Sequence, residues 1–336
     1  MKKIIKKITP ESLLVFLRKK RSMQHINKLY QFDKKRLQKH AYSINNDFTA
    51  DNLRSKITFH YHAIEKGLSN ANLRLGFGER AFNQLFWAMD EYINKGYPSN
   101  DSRFQQAISV IDSYVELHKK ENFDVSLVER KQLEYKNYNN GCHDLSGGYI
   151  EMNRSNLPKF SSLSFNEIAA SRYSVRDFGT EDIGDESIFN AINIATKSPS
   201  VCNRQAWQVR YVKSPDVVKK VLKIQGGLSG NGENLNKLLL VTADKQYMNG
   251  GHERNQTYID GGLYTMSLLY ALTYLNIASC TLNTNFTLKK ELDMRELLGI
   301  RESEDLIAFI AIGSYPENLK VAKSPRDDYT QFTTVI

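Results

Sequence analysis

Apolar residues recur at helical spacing through most of the first 135 residues. Phe82, Leu85, Phe86, Met89, Tyr92 and Ile93 share one stripe of a helix expected over 79–95, which Gly96-Tyr97-Pro98 ends. Ile108, Ile111, Val115 and Leu117 mark another over about 104–119. A third is expected over 53–66, with Gly67 as its stop. Proline occurs in this half only at Pro10 and Pro98, and β-branched runs are scarce. An all-helical first half follows.

The pattern changes after residue 160. Ser164-Phe165-Asn166-Glu167 has capping-box spacing and opens a helix ending near Arg172. Ile188, Phe189, Ile192 and Ala195 form the stripe of a helix over 185–197, closed by Pro199. Residues 207–212 are a strand candidate, and Leu238-Leu239-Leu240-Val241 and 306–312 are continuous apolar runs suited to buried strands. Residues 257–275 are apolar on nearly every face and predict a central buried helix. An extended segment over 277–282 follows, then a helix over 288–298 stopped by Gly299. Alternating helices and strands suggest by themselves a parallel α/β sheet, although periodicity does not fix strand direction. Between the halves, 136–160 is rich in Asn, Gly and Ser (Asn137, Asn139, Asn140, Gly141, Ser146, Gly147, Gly148), a linker composition. It divides the chain into a basic, mostly helical domain, 1–150, and a second domain, 151–336.

Charge changes the picture of the N-terminus. The 336 residues carry a net +9, but residues 1–40 hold 13 Lys/Arg against only Glu11 and Asp33. The rest holds 33 basic and 35 acidic residues. Ile4, Ile5, Ile8 and the apolar run 13–17 alternate with basic clusters such as Arg18-Lys19-Lys20-Arg21. That composition suits a helix lying on an anionic membrane surface, with a basic packing helix as the alternative. The run is too short to span a bilayer, and no small-residue cleavage site follows it. Nucleic acid is excluded as a partner, because no reading motif accompanies the basic stretch. Cys142, Cys202 and Cys280 are odd in number, far apart and without zinc spacing, so no metal is expected. They fit a reducing, cytoplasmic compartment, with a peripheral place at the inner face of the membrane if residues 1–40 contact lipid. The neighbours Cys142-His143 suit a structural or surface role.

The candidate chemistry gathers in 171–207. Arg172-Tyr173-Ser174-Val175-Arg176-Asp177-Phe178 offers two guanidinium groups and a hydroxyl within five residues. Such a fork bonds phosphate oxygens bidentately and stays charged. One helix later comes Ser198-Pro199-Ser200-Val201-Cys202-Asn203-Arg204-Gln205-Ala206-Trp207, whose amides can donate and accept at the edge of a heterocycle.

These clusters resemble the FMN-dependent nitroreductase family, whose pattern is Arg-x-Ser-x-Arg/Lys-x-Phe and then Pro-Ser-x-x-Asn-x-Gln-Pro-Trp. Arg172, Ser174, Arg176, Phe178, Pro199, Ser200, Asn203, Gln205 and Trp207 match, and Ala206 stands where the family has proline. The resemblance covers about the last 175 residues, one domain of ordinary size. It implies an α+β fold with a mixed, largely antiparallel sheet around the long central helix, preceded here by the all-α domain. It implies FMN as cofactor, NADH or NADPH as electron donor, and a homodimer with FMN in the subunit interface. By the same resemblance Arg172, Tyr173 and Ser174 hold phosphate and ribityl oxygens, and Arg176 the pyrimidine end near N1 and O2. Ser200, Asn203 and Gln205 bond the ring edge or ribityl chain. Leu282 and Asn283 fall where the family's backbone passes flavin N5, and Lys323 and Arg326 resemble a second phosphate clamp. No catalytic side chain is implied, since the cofactor carries the hydride.

His62-Ala63-Ile64-Glu65-Lys66-Gly67-Leu68 and Gly76-Phe77-Gly78 resemble the helical extension of nitroreductase-like proteins from bacterial surface-polysaccharide gene sets. His62 and Glu65, at i and i+3, share a helix face. Capping accounts for this piece as a helix end with a glycine turn into the next helix; the alternative reading is that His62, Glu65 and Arg74 reach over the flavin pocket. The glycine loop 226–232 lacks the strand–glycine–helix pattern of a dinucleotide site. Residues 247–256 are too few for the family's helical lid, so the helical half is expected to supply part of the pocket wall. The resulting expectation is an FMN-dependent oxidoreductase moving a hydride between NAD(P)H and a small-molecule substrate, in surface-polysaccharide biosynthesis by the second resemblance. The alternatives are an FMN-dependent dehydrogenase or oxidase, and a flavin-free scaffold at the membrane surface.

Overall fold

The computed structural model describes residues 10–41, 48–138, 147–228 and 234–336. Residues 1–9 of the basic segment, the Cys142-His143 pair and residues 229–233 of the glycine loop lie outside them.

Among the described residues five helices come first: α1 Glu11–His40, α2 Ala50–Leu68, α3 Glu79–Asn94, α4 Ser102–Lys120 and α5 Ser126–Lys136. Thr49 caps α2, its hydroxyl accepting from the Asn52 N–H while the Asn52 side chain accepts from the Thr49 N–H. Asp101 caps α4 by accepting from the N–H groups of Arg103 and Phe104. The expected stripes then meet in one core of Leu53, Ile57, Ile64, Leu85, Met89, Phe104, Ile108 and Ile111. By contrast, no residue of α1 is buried, and α1 touches the second half through Asp33, 2.6 Å from Arg254. No described helix is long and apolar enough to cross a membrane.

Gly67 differs from its expected role. It lies inside α2, which continues to Leu68. A Cβ at Gly67 would stand 2.0 Å from Cε2 of Phe77, and that ring is braced edge-on against Tyr114. The glycine thus permits a close approach and is not a stop. We expect Gly67→Ala to lower stability by about 1–2 kcal/mol in urea unfolding, since overpacking outweighs the gain in helix propensity.

The second half runs β1 Tyr149–Asn153, α6 Phe165–Ser171, α7 Asp185–Ala195, β2 Trp207–Val212, α8 Pro215–Gln225, β3 Lys237–Asp244, α9 Gln256–Tyr274, β4 Ala278–Leu282, α10 Leu288–Leu298, β5 Glu304–Gly313 and β6 Asn318–Ala322. The main sheet has the order β2-β3-β5-β4, with every neighbouring pair antiparallel. The fold is therefore α+β, and the parallel arrangement suggested by alternation alone is not formed. The apolar runs of β3 and β5 reflect burial on both faces. Leu238, Leu240, Phe309 and Ala311 face one core with Val218, Val221 and Met294. Leu239, Val241, Ile310 and Ile312 face the other with Ile188, Tyr264, Leu268 and Leu272.

Two further expectations are corrected. Strand β1 lies in the segment expected as linker and pairs with β6, Tyr149 opposite Ala322 and Asn153 opposite Asn318. Helix α9 is buried on one face only: Tyr258, Ile259, Leu263 and Met266 are exposed. Its apolar character extends all round, while this chain covers a single side.

Candidate functional site

The Arg172–Phe178 stretch is built from its two anchors. A capping box at Ser164 and Glu167 starts α6, which ends at Ser171 with Arg172 already in extended backbone. Val175 and Phe178 are then fully buried, and the Val175 N–H donates to the Ser279 carbonyl of β4 at 2.9 Å. This pins the intervening residues against β4 and leaves Arg176 beside its outer end.

There Arg176 lines a cleft of about 460 Å³. Cys280, Thr281, Leu282 and Asn283 form one wall, Gln225 to Leu228 a second, and His62, Lys66 and Gly67 of α2, with Asn70 just past its end, a third. The helical half thus contributes a wall, and the structure brings Arg176, Leu282 and Asn283 to one place. Arg74 does not line it. A hollow of similar size, about 490 Å³, lies between Arg154–Ser161 and Tyr274–Asn276, but its Arg154 is committed to Glu181 at 2.6 Å.

The cleft is cationic. Among its lining residues there is no carboxylate, and Lys66 and Arg176 make no ion pair among the described residues. The protein around Lys66 holds its ammonium below the ordinary lysine value, and the Arg176 charge adds to that, although solvent reaches Lys66 through the cleft mouth. Half-buried Arg172 is likewise lowered, by burial and then by the charge of Arg326. Burial raises the Cys280 thiol, against the pull of the Arg176, Lys66 and Arg172 charges. A half-buried guanidinium with no acid partner among the described residues, such as Arg172, is stabilised by an arriving anion. The Arg172–Arg326 pair has the chemistry of a phosphate site, and Tyr173 and Ser174 lie on the same half-buried stretch.

The Lys323–Arg326 segment is positioned by contacts from the helical half. The Lys323 N–H donates to the Gly148 carbonyl at 3.0 Å. Ser324 has φ +46, and its carbonyl accepts from the Arg326 guanidinium. Next in the chain, Asp327 takes Nε and Nη2 of Arg103 at 3.0 and 2.8 Å and the Ser102 hydroxyl at 2.7 Å. The first turn of α4 therefore fixes where Arg326 can reach.

Ser200, Asn203 and Gln205 stand elsewhere. Cys202, Asn203 and Gln205 all have φ near the left-handed region, at 50°, 54° and 51°. The turn is held by Gln205 N–H on the Ser200 hydroxyl at 3.0 Å and by Arg204, which grips Glu253 at 2.8 and 2.9 Å. Ala206 is fully buried and passes directly into β2. But β2 and β4 are opposite edges of the sheet. Trp207 aligns through Ala243 with Asp305, whereas Ser279, the partner of Val175, aligns with Ile312. Strand spacings put the two clusters about 14 Å apart across the sheet and roughly 24 Å along it. Within one chain the two halves of the motif do not meet. Lys66, Asn70 and Gln225 are cleft residues that sequence reasoning missed; only the i, i+4 spacing of His62 and Lys66 hinted at a shared face.

The nitroreductase family model matches residues 169–240. Among solved structures, the chain is similar to a nitroreductase with bound FMN from Desulfitobacterium hafniense: 21% identity, 54% of this chain and 99% of that chain covered, TM-score 0.42. It is also similar to a nitroreductase family protein from Clostridium difficile, with 20% identity, 51% and 98% covered and TM-score 0.42. A nitroreductase-like protein from Streptococcus mutans gives 16%, 51% and 97%, and 0.43. No curated protein matches the chain. The matched residues, 169–240, contain both motif clusters and the helix between them.

Proposed function

We propose that the chain is an FMN-dependent oxidoreductase that moves two electrons, as hydride, between NAD(P)H and a small-molecule substrate. One observation carries this reading. Residues 169–240 match the nitroreductase family model, and within them half-buried Arg172 faces the charge of Arg326, with no carboxylate paired to either among the described residues. A dianionic phosphate supplies the missing charge. Arg172, Tyr173 and Ser174 would hold the phosphate end with Lys323 and Arg326. Arg176, and Lys66 beside it, favour negative charge at the far end of the ring. Leu282 and Leu228 offer apolar contact in the cleft. Bound there, FMN supplies a ring nitrogen that can accept and donate hydride.

The reading includes a homodimer. The distance between the Ser200–Gln205 turn and the cleft is spanned if a second copy brings its turn to this copy's cleft. The apolar side of α9, with Tyr258, Ile259, Leu263 and Met266 exposed, is the surface such a copy would cover. The resemblance of the His62–Leu68 piece keeps surface-polysaccharide assembly as the setting we favour. Purified protein is expected to release FMN on denaturation and to show by light scattering about twice its 38.6 kDa. A flavin-loaded monomer would remove the dimer from the account, and a chain that cannot be loaded with FMN would remove the enzyme.

A further inference from the structure

Glu65 is a carboxylate that flavin binding does not use. It is fully buried on α2, and both of its oxygens are engaged. Oε1 accepts from the Gly148 N–H at 3.0 Å, and Oε2 meets Nδ1 of His62, also at 3.0 Å. Gly148 has φ +104, and a Cβ there would stand 2.5 Å from the Ser113 hydroxyl, so only glycine brings this N–H to Glu65. The Gly148 carbonyl in turn accepts from Lys323, at the root of the phosphate clamp.

A buried carboxylate that takes Nδ1–H fixes the imidazole tautomer and orientation, and turns Nε2 away from it. His62 is partly exposed and lines the cleft together with Lys66, Arg176 and Cys280. A helix-closing residue needs none of this, because the end of α2 is already satisfied by the Ser69 N–H on the Glu65 backbone carbonyl.

We propose that His62, held by Glu65, is the proton donor and acceptor of the cleft. The inference rests on the flavin reading and adds to it the other half of a reduction. A quinone that receives a hydride on one oxygen is left with a negative charge on the other. The Nε2–H bond of doubly protonated His62 breaks, an O–H bond forms on that oxygen, and the hydroquinone leaves; water returns a proton to Nε2. In the opposite direction neutral His62 takes a hydroxyl proton as the hydride departs. The charged and titratable groups that meet the ring or line the cleft with it are Glu65 and Lys66 on α2, Arg176 after α6 and Cys280 on β4. The cations favour an anion arriving beside His62.

The test compares full-length wild type with His62→Gln, each loaded with FMN, reduced without oxygen and mixed with menadione or with ferricyanide. Menadione needs a proton with its electrons; ferricyanide, a one-electron acceptor, needs none. Reoxidation by menadione is expected to slow at least about tenfold in His62→Gln, ferricyanide rates to stay within about twofold, and added imidazole to restore His62→Ala. Nitrogen-15 spectra of the FMN-free chain are expected to show the neutral His62 ring protonated at Nδ1, and to lose that preference in Glu65→Gln. Unchanged menadione rates, equal slowing with both acceptors, or a ring protonated at Nε2 would overturn the proposal alone. A wild type that takes up no FMN would overturn the flavin reading and this proposal with it.

Discussion

Arg172→Ala is expected to weaken FMN binding by about 100-fold, the loss of about 2.7 kcal/mol of charge-assisted contact. Arg172 stands at the end of α6 because the Ser164–Glu167 box and the Val175–Ser279 bond fix the backbone on both sides of it. Its charge is half-buried, repelled by Arg326, and unpaired with any acid among the described ion pairs. Such a group costs stability in the empty protein and recovers it when an anion arrives. The FMN-free variant should therefore melt at the wild-type temperature or slightly above it, while the rise in melting temperature on adding FMN should largely vanish. Fluorescence titration and thermal unfolding, each with and without FMN, read both. If Arg172 were a structural cation, the FMN-free variant would melt earlier and titrate normally.

Glu304→Ala is expected to cost about 3–5 kcal/mol, the largest single effect on stability in the second half. Glu304 opens β5 and is 1% exposed. Arg210 of β2 reaches it at 2.6 and 2.9 Å, Arg301 at 2.8 Å, and the Thr242 hydroxyl also donates to it. Removing the carboxylate leaves Arg210, which bridges the edge of the sheet, without its partner. Burial alone would raise the Glu304 pKa, but the donors outweigh it and hold the group at about 2. The folded value lies below the unfolded value of 4.5, so the contribution is complete above pH 4.5 and is lost as pH falls toward 2. The displacement corresponds to about 3 kcal/mol. Acid unfolding followed by circular dichroism should show a steep loss in this window for wild type and a flatter one for Glu304→Ala.

The stripes of α2 to α4 were legible because a helix with one buried face writes its period into the sequence, as Leu85, Met89 and Tyr92 do. Gly67 was misread because its reason is Phe77, a contact made by the fold. Strand β1 was invisible for a similar reason: its partner β6 lies far along the chain, and Tyr149-Ile150-Glu151-Met152-Asn153 carries no clean alternation. Strand direction was unreadable in β3 and β5, since burial on both faces erases the period of two. The motif residues could be read as chemistry because guanidinium and hydroxyl groups at that spacing suit phosphate. Their division between two sheet edges could not, because it depends on strand order. Beyond the i, i+4 spacing of Lys66 with His62, neither Lys66 nor Asn70 carries a signal of its own; the packing of the helical half against the second half makes them part of the cleft.

The most direct measurement is an anaerobic titration of the purified protein with NADH and with NADPH, followed by its visible spectrum. The account predicts bound FMN that bleaches with at least one of the two and regains its colour on adding an acceptor. A colourless protein that takes up no added FMN would contradict it.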